Sequence, residues 1–384
     1  MKYITDIPSA DLAGKRVLVR AGLDVPLDKQ GEVSDRFRVT QAAKTLRYLS
    51  KCGARTIILS HIGRKPEETN EPVARALASE VKLSYVPDLL GDAARQTITA
   101  MGNGDILLLE NLRRDPRETQ NDDGFAHELA SLGELYVDDA FSVAHRAHAS
   151  IVGIPKYLPS FAGILMREEI EILSHARAPE SPSLAILGGA KFETKSPLIE
   201  LLLERYDHLF ITGALANDIF SAKGLPVGAS LISKEHPRPE IIANPGLLAP
   251  IDVTVERPDK QAKVTSSSEV GSDDKIVDIG PDSVAMLTPY IASAKFILWN
   301  GPTGLYEDGY VSYTHAIADI ITHSGSRAVI GGGDTVAVIQ EAGATVGSNV
   351  FLSTGGGAML EYLLNGTLPG IEALDKQPWT NVYY

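Results

Sequence analysis

Short apolar runs rich in β-branched residues recur along the chain, each followed by a glycine or charged turn and then by helical spacing. Runs of this length favour buried strands, and strands that alternate with helices are typical of a parallel sheet with helices on both faces. The predicted fold class is therefore α/β. The predicted strands are Arg16–Arg20, Thr56–Ser60, Asp105–Leu109 and Leu135–Val137 in the first half, and Leu184–Leu187, His208–Thr212, Lys295–Trp299, Arg327–Ile330 and Asn349–Ser353 in the second.

The residues that follow these strands differ between the two halves. Cationic side chains follow the first-half strands, whereas glycines follow the second-half strands. Ligands of parallel sheets bind beyond the carboxyl ends of the strands. One half therefore offers a ligand cationic side chains, and the other offers bare backbone. The cationic residues are Arg20, His61, Arg64, Arg113, Arg114, His145 and Arg146, and the glycines are Gly188, Gly189, Gly213, Gly301, 331–333 and 355–357.

Charge also separates the two halves. Residues 1–165 contain 21 Lys and Arg against 22 Asp and Glu, a net charge of −1, whereas the remainder contains 15 against 27, a net of −12. We expect a domain boundary near 160–180, because Pro155 and Pro159 interrupt regular structure there. The spacing after them predicts a helix over 162–178, interpreted as a connector between domains, although an ordinary surface helix of either domain fits equally. Its apolar face is Met166, Ile170 and Leu173, with Glu168, Glu169 and Glu171 off that face.

Composition narrows the class of protein. A chain of 384 residues is long enough for two domains. Its net charge of −13 disfavours nucleic acid and anionic membranes as partners. The single cysteine, Cys52, excludes an intramolecular disulfide. The N-terminal segment lacks the apolar core of a signal peptide and no apolar run is long enough to cross a bilayer, so the expected location is the cytoplasm.

Three glycine runs in the second half indicate a phosphate site. Each follows a predicted strand and opens a predicted helix, where free N–H groups attract phosphate and the backbone can approach a ligand closely. One such run is more often a tight turn, but three together with two lysines and an aspartate favour a nucleotide. On a helix Lys191 and Lys195 would project to one side, and Asp334 could hold the Mg²⁺ of a nucleotide. The P-loop and dinucleotide glycine motifs are absent.

The first half instead scatters arginine and histidine over separate loops. Each guanidinium is a planar fork, so several converging forks suit a small, multiply charged anion, although each one alone is more often a surface or ion-paired group. No zinc site is predicted, because His145 and His148 lack ligand partners at a recognisable spacing. A small anion on one domain and a Mg-nucleotide on the other make direct phosphoryl transfer the natural hypothesis. The scattered residues are Arg20, Arg38, His61, Arg64, Arg113, Arg146 and His148.

Eight ordered segments then carry a resemblance to a known family. They are Ser60–Arg64, Leu109–Arg113, Asp139–Phe141 with Ala144–Ser150, Leu187–Lys191, Trp299–Pro302, Gly331–Asp334, Ser353–Ala358 and Leu368–Leu374. Through them the chain resembles phosphoglycerate kinase along its whole length. The resemblance implies reversible transfer between 1,3-bisphosphoglycerate and ADP, giving 3-phosphoglycerate and ATP, with Mg²⁺. It also implies two Rossmann-like domains with parallel sheets facing a cleft: 1–161 with the tail 371–384 for phosphoglycerate, a connector helix at 162–178, and 179–370 for nucleotide. A monomer is expected.

The resemblance also assigns site residues. It implies that Arg38 and Lys195 are catalytic and that Asp334 is the acid of the metal-nucleotide. The substrate-binding residues that it implies are Asp24, Arg38, His61, Arg64, Arg113 and Arg146. The nucleotide-binding residues are Lys191, Lys195, Gly213, Asn300, Pro302, Glu307, Gly332, Gly333, Asp334, Thr335, Thr354, Gly355 and Gly356.

Some positions depart from the family pattern, and they cluster. The family's first motif reads R-x-D-F-N-x-P, but here Gly22 stands at its aspartate and Asp24 at its asparagine. Two alternatives therefore stand beside an active kinase: a nucleotide-binding paralogue without catalysis, and a kinase for a related carboxylate. The other departures are Asp138 for asparagine, Ser142-Val143 for Gly-Thr, Arg114 for an aromatic, Thr212 for glycine and Thr303 for methionine.

Overall fold

A computed structural model describes residues 1–341 and 347–379. The chain divides into two compact units, the first made of Met1–Glu171 with the segment from Thr367 onward, and the second of Ile172–Gly366. Residues 342–346 of the predicted nucleotide domain and 380–384 of the predicted tail lie outside the described residues. Within the described ranges, no helix combines the length and apolarity needed to span a membrane.

A six-stranded parallel sheet forms the centre of the first unit. Its strands are β1 (Arg16–Ala21), β2 (Arg55–Leu59), β3 (Ser84–Tyr85), β4 (Ile106–Leu108), β5 (Leu135–Asp139) and β6 (Ser160–Ala162). They lie in the order β3-β4-β2-β1-β5-β6. In the middle of the sheet Val19 pairs with Ile58 on one side and with Val137 on the other, and all three are fully buried. Because the strands are parallel, the residues that follow them meet at one edge, which we call the carboxyl edge.

Helices of the first unit pack on this sheet. The longest is α2, which buries Val39, Ala42, Leu46 and Leu49 at the three- and four-residue spacing of one helical face. The helices are α1 (Ser9–Leu12), α2 (Phe37–Lys51), α3 (Glu71–Leu77), α4 (Asp92–Ala100), α5 (Asp123–Ala130) and α6 (Ile164–Arg177). Short 3₁₀ turns occupy Ile4–Asp6, Leu112–Arg114, Phe141–Val143 and Ile154–Lys156, and a π-helical turn occupies Ala149–Gly153.

Helix α6 is the helix predicted over 162–178, and the boundary between the two units falls within it, after Glu171. It begins at Ile164 because Ser160–Ala162 form strand β6 instead. Met166 and Leu173 are fully buried, as their spacing predicted. The placement of Glu169 off the buried face was wrong, because this side chain is also fully buried.

A second six-stranded parallel sheet forms the centre of the second unit, and a small antiparallel sheet accompanies it. The strands are β7 (Ser183–Leu187), β8 (His208–Ile211), β9 (Leu247–Leu248), β10 (Asp252–Glu256), β11 (Ala262–Ser266), β12 (Lys275–Ile279), β13 (Phe296–Asn300), β14 (Arg327–Gly331) and β15 (Val350–Leu352). The parallel sheet has the order β15-β14-β13-β7-β8-β9 and the antiparallel sheet the order β11-β10-β12. Trp299, the largest fully buried side chain, pairs with Ile186 and Ile330 at its centre.

The helices of the second unit mostly follow its parallel strands, and the C-terminal helix belongs to the first unit. They are α7 (Phe192–Arg205), α8 (Ala214–Ala222), α9 (Pro239–Ile242), α10 (Pro281–Ser293), α11 (Ser312–His323), α12 (Gly333–Glu341) and α13 (Gly356–Asn365), with a 3₁₀ turn at Tyr306–Asp308. In the first unit the C-terminal helix α14 (Pro369–Asp375) starts where Gly370 N–H donates to Ala144 O at 2.8 Å, and Gln377 Oε1 accepts from Ser160 N–H at 2.7 Å.

The α/β class and all nine predicted strands are confirmed, with ends that differ by one residue or less except in β5, which ends two residues later than predicted. The sequence pattern missed the two-residue strands β3 and β9, the three-residue strand β6 and the whole antiparallel sheet. Runs of two or three residues carry too little periodicity to be recognised. Strand β11 is exposed along most of its length, so it shows no apolar run.

Replacement of Leu46 by alanine tests the packing of α2. Leu46 is fully buried in the core of the first unit, so we expect Leu46→Ala to lower the free energy of unfolding by about 2–5 kcal/mol. Leu27 is 40% exposed in the same unit, and Leu27→Ala should change it by roughly 0.5 kcal/mol or less. Chemical denaturation followed by circular dichroism measures both, and equal effects would contradict this packing.

Candidate functional site

Arg20 is a buried arginine that hydrogen-bonds several residues at the carboxyl edge of the first unit. It lies in β1 with no exposed surface, so its predicted place among the cationic side chains of the loops at the sheet edge was wrong. Its guanidinium donates through Nε to Ser150 Oγ at 2.9 Å and through Nη1 to Ala21 O at 2.7 Å. Ser150 in turn donates to the buried carboxylate of Glu118, through Oγ at 2.6 Å and through its N–H at 2.9 Å. A buried cation is stable only when it is paired in this way.

The same arginine fixes the proton of His61. Arg20 Nη2 lies 2.8 Å from His61 Nδ1, and because a guanidinium can only donate, Nδ1 accepts and the ring proton sits on Nε2. Burial, aided by the charges of Arg20 and Arg113, lowers the pKa of His61 to about 3, so the ring is neutral at neutral pH. Its Nε2 is buried without a hydrogen-bond partner among the described residues. His61 is therefore a neutral donor.

Asp24 lies beside that donor. Its Oδ1 accepts from Gly63 N–H at 2.8 Å, its Oδ2 lies 3.6 Å from His61 Nε2, and its backbone carbonyl accepts from Arg38 Nη1. Burial raises the pKa of the carboxyl, but the nearby His61 ring, the hydrogen bond from Gly63 N–H and the charge of Arg38 outweigh it and lower the pKa to about 2. Asp24 is therefore ionised among cations.

The remaining predicted cations gather around the same residues. Arg113 donates through Nη1 to Gly63 O, and burial, together with the charges of Arg146 and Arg20, lowers the pKa of Arg113 against the pull of Asp24. Arg146 is exposed and donates through Nε to His145 Nε2 at 3.3 Å, and Arg64 is exposed directly after Gly63. We call Arg38, His61, Arg64, Arg113 and Arg146 the basic patch. Its guanidinium and imidazole donors suit a multiply charged anion.

Backbone segments approach one another at the carboxyl edge of the second sheet. A Cβ built at Gly188 would lie 2.5 Å from Pro302 O, and one at Gly301 would lie 2.6 Å from Gly188 C. Gly301 has a φ of +94°, which L side chains rarely adopt. A Cβ at Gly356 would lie 3.0 Å from Gly332 Cα. A side chain at Gly188 or Gly301 would overlap this backbone, and one at Gly356 would be tight. These contacts join the segments after β7, β13, β14 and β15.

The two lysines occupy different positions at this edge. Lys191 is exposed and has extended backbone just before α7, so the expectation that a helix projects both lysines to one side was wrong. Lys195 lies within α7, its Nζ 3.4 Å from Asn300 Oδ1. Burial lowers the pKa of Lys195 to about 8. Its side chain also passes close to Gly189, where a Cβ would lie 2.8 Å from Lys195 Cε.

The glycine runs open helices α12 and α13, as predicted. Gly333 and Asp334 are exposed at the start of α12, and Thr335 Oγ1 accepts from Gly301 N–H at 3.0 Å. Thr354 and Gly355 are buried directly before Gly356, the first residue of α13. The free N–H groups of two such helix starts suit phosphate.

A cavity of about 430 Å³ opens beside these segments within the second unit. Gly213, Pro302, Glu307 and Asp334 line it, together with apolar residues that include Phe220, Leu231 and Val277. Sequence reasoning missed Asp278, which lines the cavity at the end of β12; burial raises the pKa of Asp278 to about 7, against hydrogen bonds from Thr303 and Ile279. Its position in the unpredicted antiparallel sheet gave no signal. Among the described residues no group of three or more His, Cys, Asp or Glu could hold a metal ion.

The departures from the family pattern have local partners. Arg114 pairs with the buried carboxylate of Glu110 at 3.2 Å. Thr212 Oγ1 donates to Thr303 O at 3.3 Å, and Thr303 Oγ1 lies 2.9 Å from Thr314 Oγ1. Burial raises the pKa of Asp138 to about 7, and its Oδ1 accepts from Ala140 N–H at 3.0 Å.

Comparisons with known proteins agree on one family. A family model described as phosphoglycerate kinase matches residues 4–366. The phosphoglycerate kinase of Pelotomaculum thermopropionicum is 39% identical over 392 residues, covering 97% of this chain and 98% of that protein. That of Synechococcus elongatus is 40% identical over 398 residues, with the same coverage. Among solved structures, the phosphoglycerate kinase of Coxiella burnetii has a TM-score of 0.78 and 33% identity, covering 95% of this chain and 97% of that one. The Pyrococcus horikoshii enzyme has a TM-score of 0.86 and 29% identity, covering 98% of each.

Substitution of Gly188 tests the backbone contacts at the second carboxyl edge. A methyl group there would overlap Pro302 O, so we expect Gly188→Ala to destabilise the second unit by about 1–3 kcal/mol and to lower its melting temperature. Gly333 has no atom within 4 Å of a built Cβ, and Gly333→Ala should be neutral or slightly stabilising. Thermal unfolding measures both, and equal melting temperatures would contradict the proximity of Gly188 and Pro302.

Proposed function

The chain belongs to the phosphoglycerate kinase family, and from that premise we propose how its residues divide the work of the reaction. It is a phosphotransferase with a carboxyl acceptor, and it transfers a phosphoryl group reversibly between 1,3-bisphosphoglycerate and ADP, giving 3-phosphoglycerate and ATP. A nucleotide-binding paralogue and a kinase for another carboxylate are not favoured by these relatives. We assign phosphoglycerate to the first unit and nucleotide to the second.

The basic patch of the first unit binds phosphoglycerate. The observation that supports this most strongly is the network that holds His61 neutral with its proton on Nε2, beside the guanidinium groups of Arg38 and Arg113. Two anionic groups of the substrate need several donors that cannot turn into acceptors. Arg64 and Arg146 are exposed and complete that donor set.

The cavity and glycine contacts of the second unit bind ADP and ATP. The apolar lining, with Gly213 and Pro302, suits the flat base, and Glu307 suits the ribose hydroxyls. The phosphates meet Lys191, Lys195, Asn300 and the starts of α12 and α13. The residues at those starts are Gly332, Gly333, Asp334, Thr335, Thr354, Gly355 and Gly356.

Transfer itself requires little covalent help from the protein. A β-phosphate oxygen of ADP attacks the acyl phosphorus, and the bond from phosphorus to the carboxyl oxygen breaks, so the electron pair leaves as the substrate's carboxylate. No proton has to move. Arg38 and Lys195 neutralise the charge on the transferring oxygens, and exclusion of water prevents hydrolysis.

Mg²⁺ accompanies the nucleotide in this proposal. Asp334 is an exposed carboxylate that lines the same cavity as Gly213 and Pro302, which fits a cation held chiefly by phosphate oxygens and one carboxylate. When bound, Mg²⁺ neutralises phosphate charge.

We also propose that the protein acts as a cytoplasmic monomer.

A coupled assay tests the assignment of function directly. Turnover that depends on both ATP and 3-phosphoglycerate is expected. Folded protein that binds Mg-ADP in a calorimeter but shows no turnover at millimolar substrate would contradict it and would favour the binding paralogue.

Lys195 provides a prediction with a pH dependence. Because its pKa is lowered to about 8, the ammonium is present below that pH and is lost above it, so kcat/KM for Mg-ADP should fall as pH rises through about 8. Lys195→Arg should remove this decline, since a guanidinium stays charged, and Lys195→Ala should lower kcat more than it weakens Mg-ADP binding.

Lys263 is exposed in β11 of the same unit, so Lys263→Arg is the matched control and should leave the pH profile unchanged. A decline that persists in Lys195→Arg would show that another group causes it. Equal losses of kcat and of Mg-ADP binding in Lys195→Ala would mean that its charge is no more important during transfer than before it.

A further inference from the structure

The carboxylate of Asp24 lies beside the basic patch, where an anionic substrate should bind, and its presence there needs an explanation. We propose that the Asp24 carboxylate accepts a hydrogen bond from the substrate hydroxyl group next to the carboxyl carbon, and that Gly22, Asp24 and Ser142 form one matched set. This inference rests on the proposed function, because it assigns one contact of phosphoglycerate in the basic patch.

Asp24 has an oxygen available for a ligand. Two carboxylates act on Arg113, namely Asp24 and Glu118. Glu118 is fully buried, and both of its oxygens accept from Ser150. The side chain of Asp24 is 39% exposed; Oδ1 accepts from Gly63 N–H, whereas Oδ2 lies 3.6 Å from His61 Nε2, too far for a good hydrogen bond.

The chemistry of the substrate selects the group that meets this oxygen. 3-Phosphoglycerate carries a phosphate, a carboxylate and a hydroxyl group. The first two are anions and acceptors, which an ionised carboxylate repels, and only the hydroxyl donates. Beside a basic patch whose members are all donors, Asp24 therefore has one favourable partner on the substrate. A carboxylate there selects a 2-hydroxy acid over the same acid without the hydroxyl group.

Gly22 and Ser142 account for the position of this acceptor. Gly22 is buried, and a Cβ built there would lie 2.9 Å from Ser142 Oγ and 3.6 Å from Ala140 Cα. Ser142 thus takes up the space that an aspartate at residue 22 would need. The family pattern has aspartate and glycine at these two positions, so the exchange of both residues moves the acceptor to Asp24.

Two acids distinguish this role. We measure kcat/KM in the ATP-consuming direction for 3-phosphoglycerate and for 3-phosphonooxypropanoate, which lacks the hydroxyl group. The wild-type protein should prefer the hydroxylated acid by roughly 10- to 100-fold, the range expected for a hydrogen bond to a charged group. Asp24→Ala should reduce the preference to about twofold or less. Asp11→Asn, an exposed change in α1, should leave it unchanged.

Rescue variants test the matched set. Asp24→Asn combined with Gly22→Asp should not regain the wild-type preference, whereas adding Ser142→Gly should restore it; thermal unfolding and Mg-ADP titration verify that each variant is folded. A preference that survives in Asp24→Ala, or a rescue that does not need Ser142→Gly, would overturn the inference. Wild-type protein that uses both acids equally would overturn it and leave the proposed function intact, whereas use of neither acid would overturn the proposed function itself.

Discussion

The parallel order of the strands is the constraint on which both groups of site residues depend. In each unit it brings every segment that follows a strand to one edge of a six-stranded sheet, with no contribution from sequence proximity. Arg20, His61 and Arg113 belong to β1 and to the segments after β2 and β4. Even so, Arg20 hydrogen-bonds the His61 ring, and Arg113 donates to the carbonyl of Gly63, two residues after His61. Gly188, Gly301 and Gly332 come together in the second unit for the same reason.

The two carboxyl edges offer different kinds of hydrogen-bond donor to an anion. In the first unit burial and a buried arginine, itself paired through Ser150 with Glu118, keep His61 neutral beside the guanidinium groups of the basic patch. In the second unit the free N–H groups at the starts of α12 and α13, beside Lys191 and Lys195, suit phosphate oxygens. A small, multiply charged anion suits the first arrangement, and a long nucleotide suits the second.

The sequence predicted the nine main strands, the helix starts after the glycine runs and the residues of the family motifs, because each of these has a local signature. It could not predict facts that depend on tertiary proximity. Arg20 lies at the end of a strand whose burial the sequence does not reveal, and Asp278 belongs to no motif and lies in a sheet that the sequence pattern did not predict. Gly22 and Ser142 are 120 positions apart, so the sequence alone could not show that they lie in contact.

Separate titrations of the full chain with 3-phosphoglycerate and with Mg-ADP test most directly whether the two edges bind different substrates. Arg146 is exposed in the basic patch, so Arg146→Ala should weaken the binding of 3-phosphoglycerate roughly tenfold or more. The same variant should keep its affinity for Mg-ADP within about twofold of the wild-type value. Unchanged affinity for 3-phosphoglycerate, or an equal loss for both ligands, would contradict the assignment of the two ligands to different units.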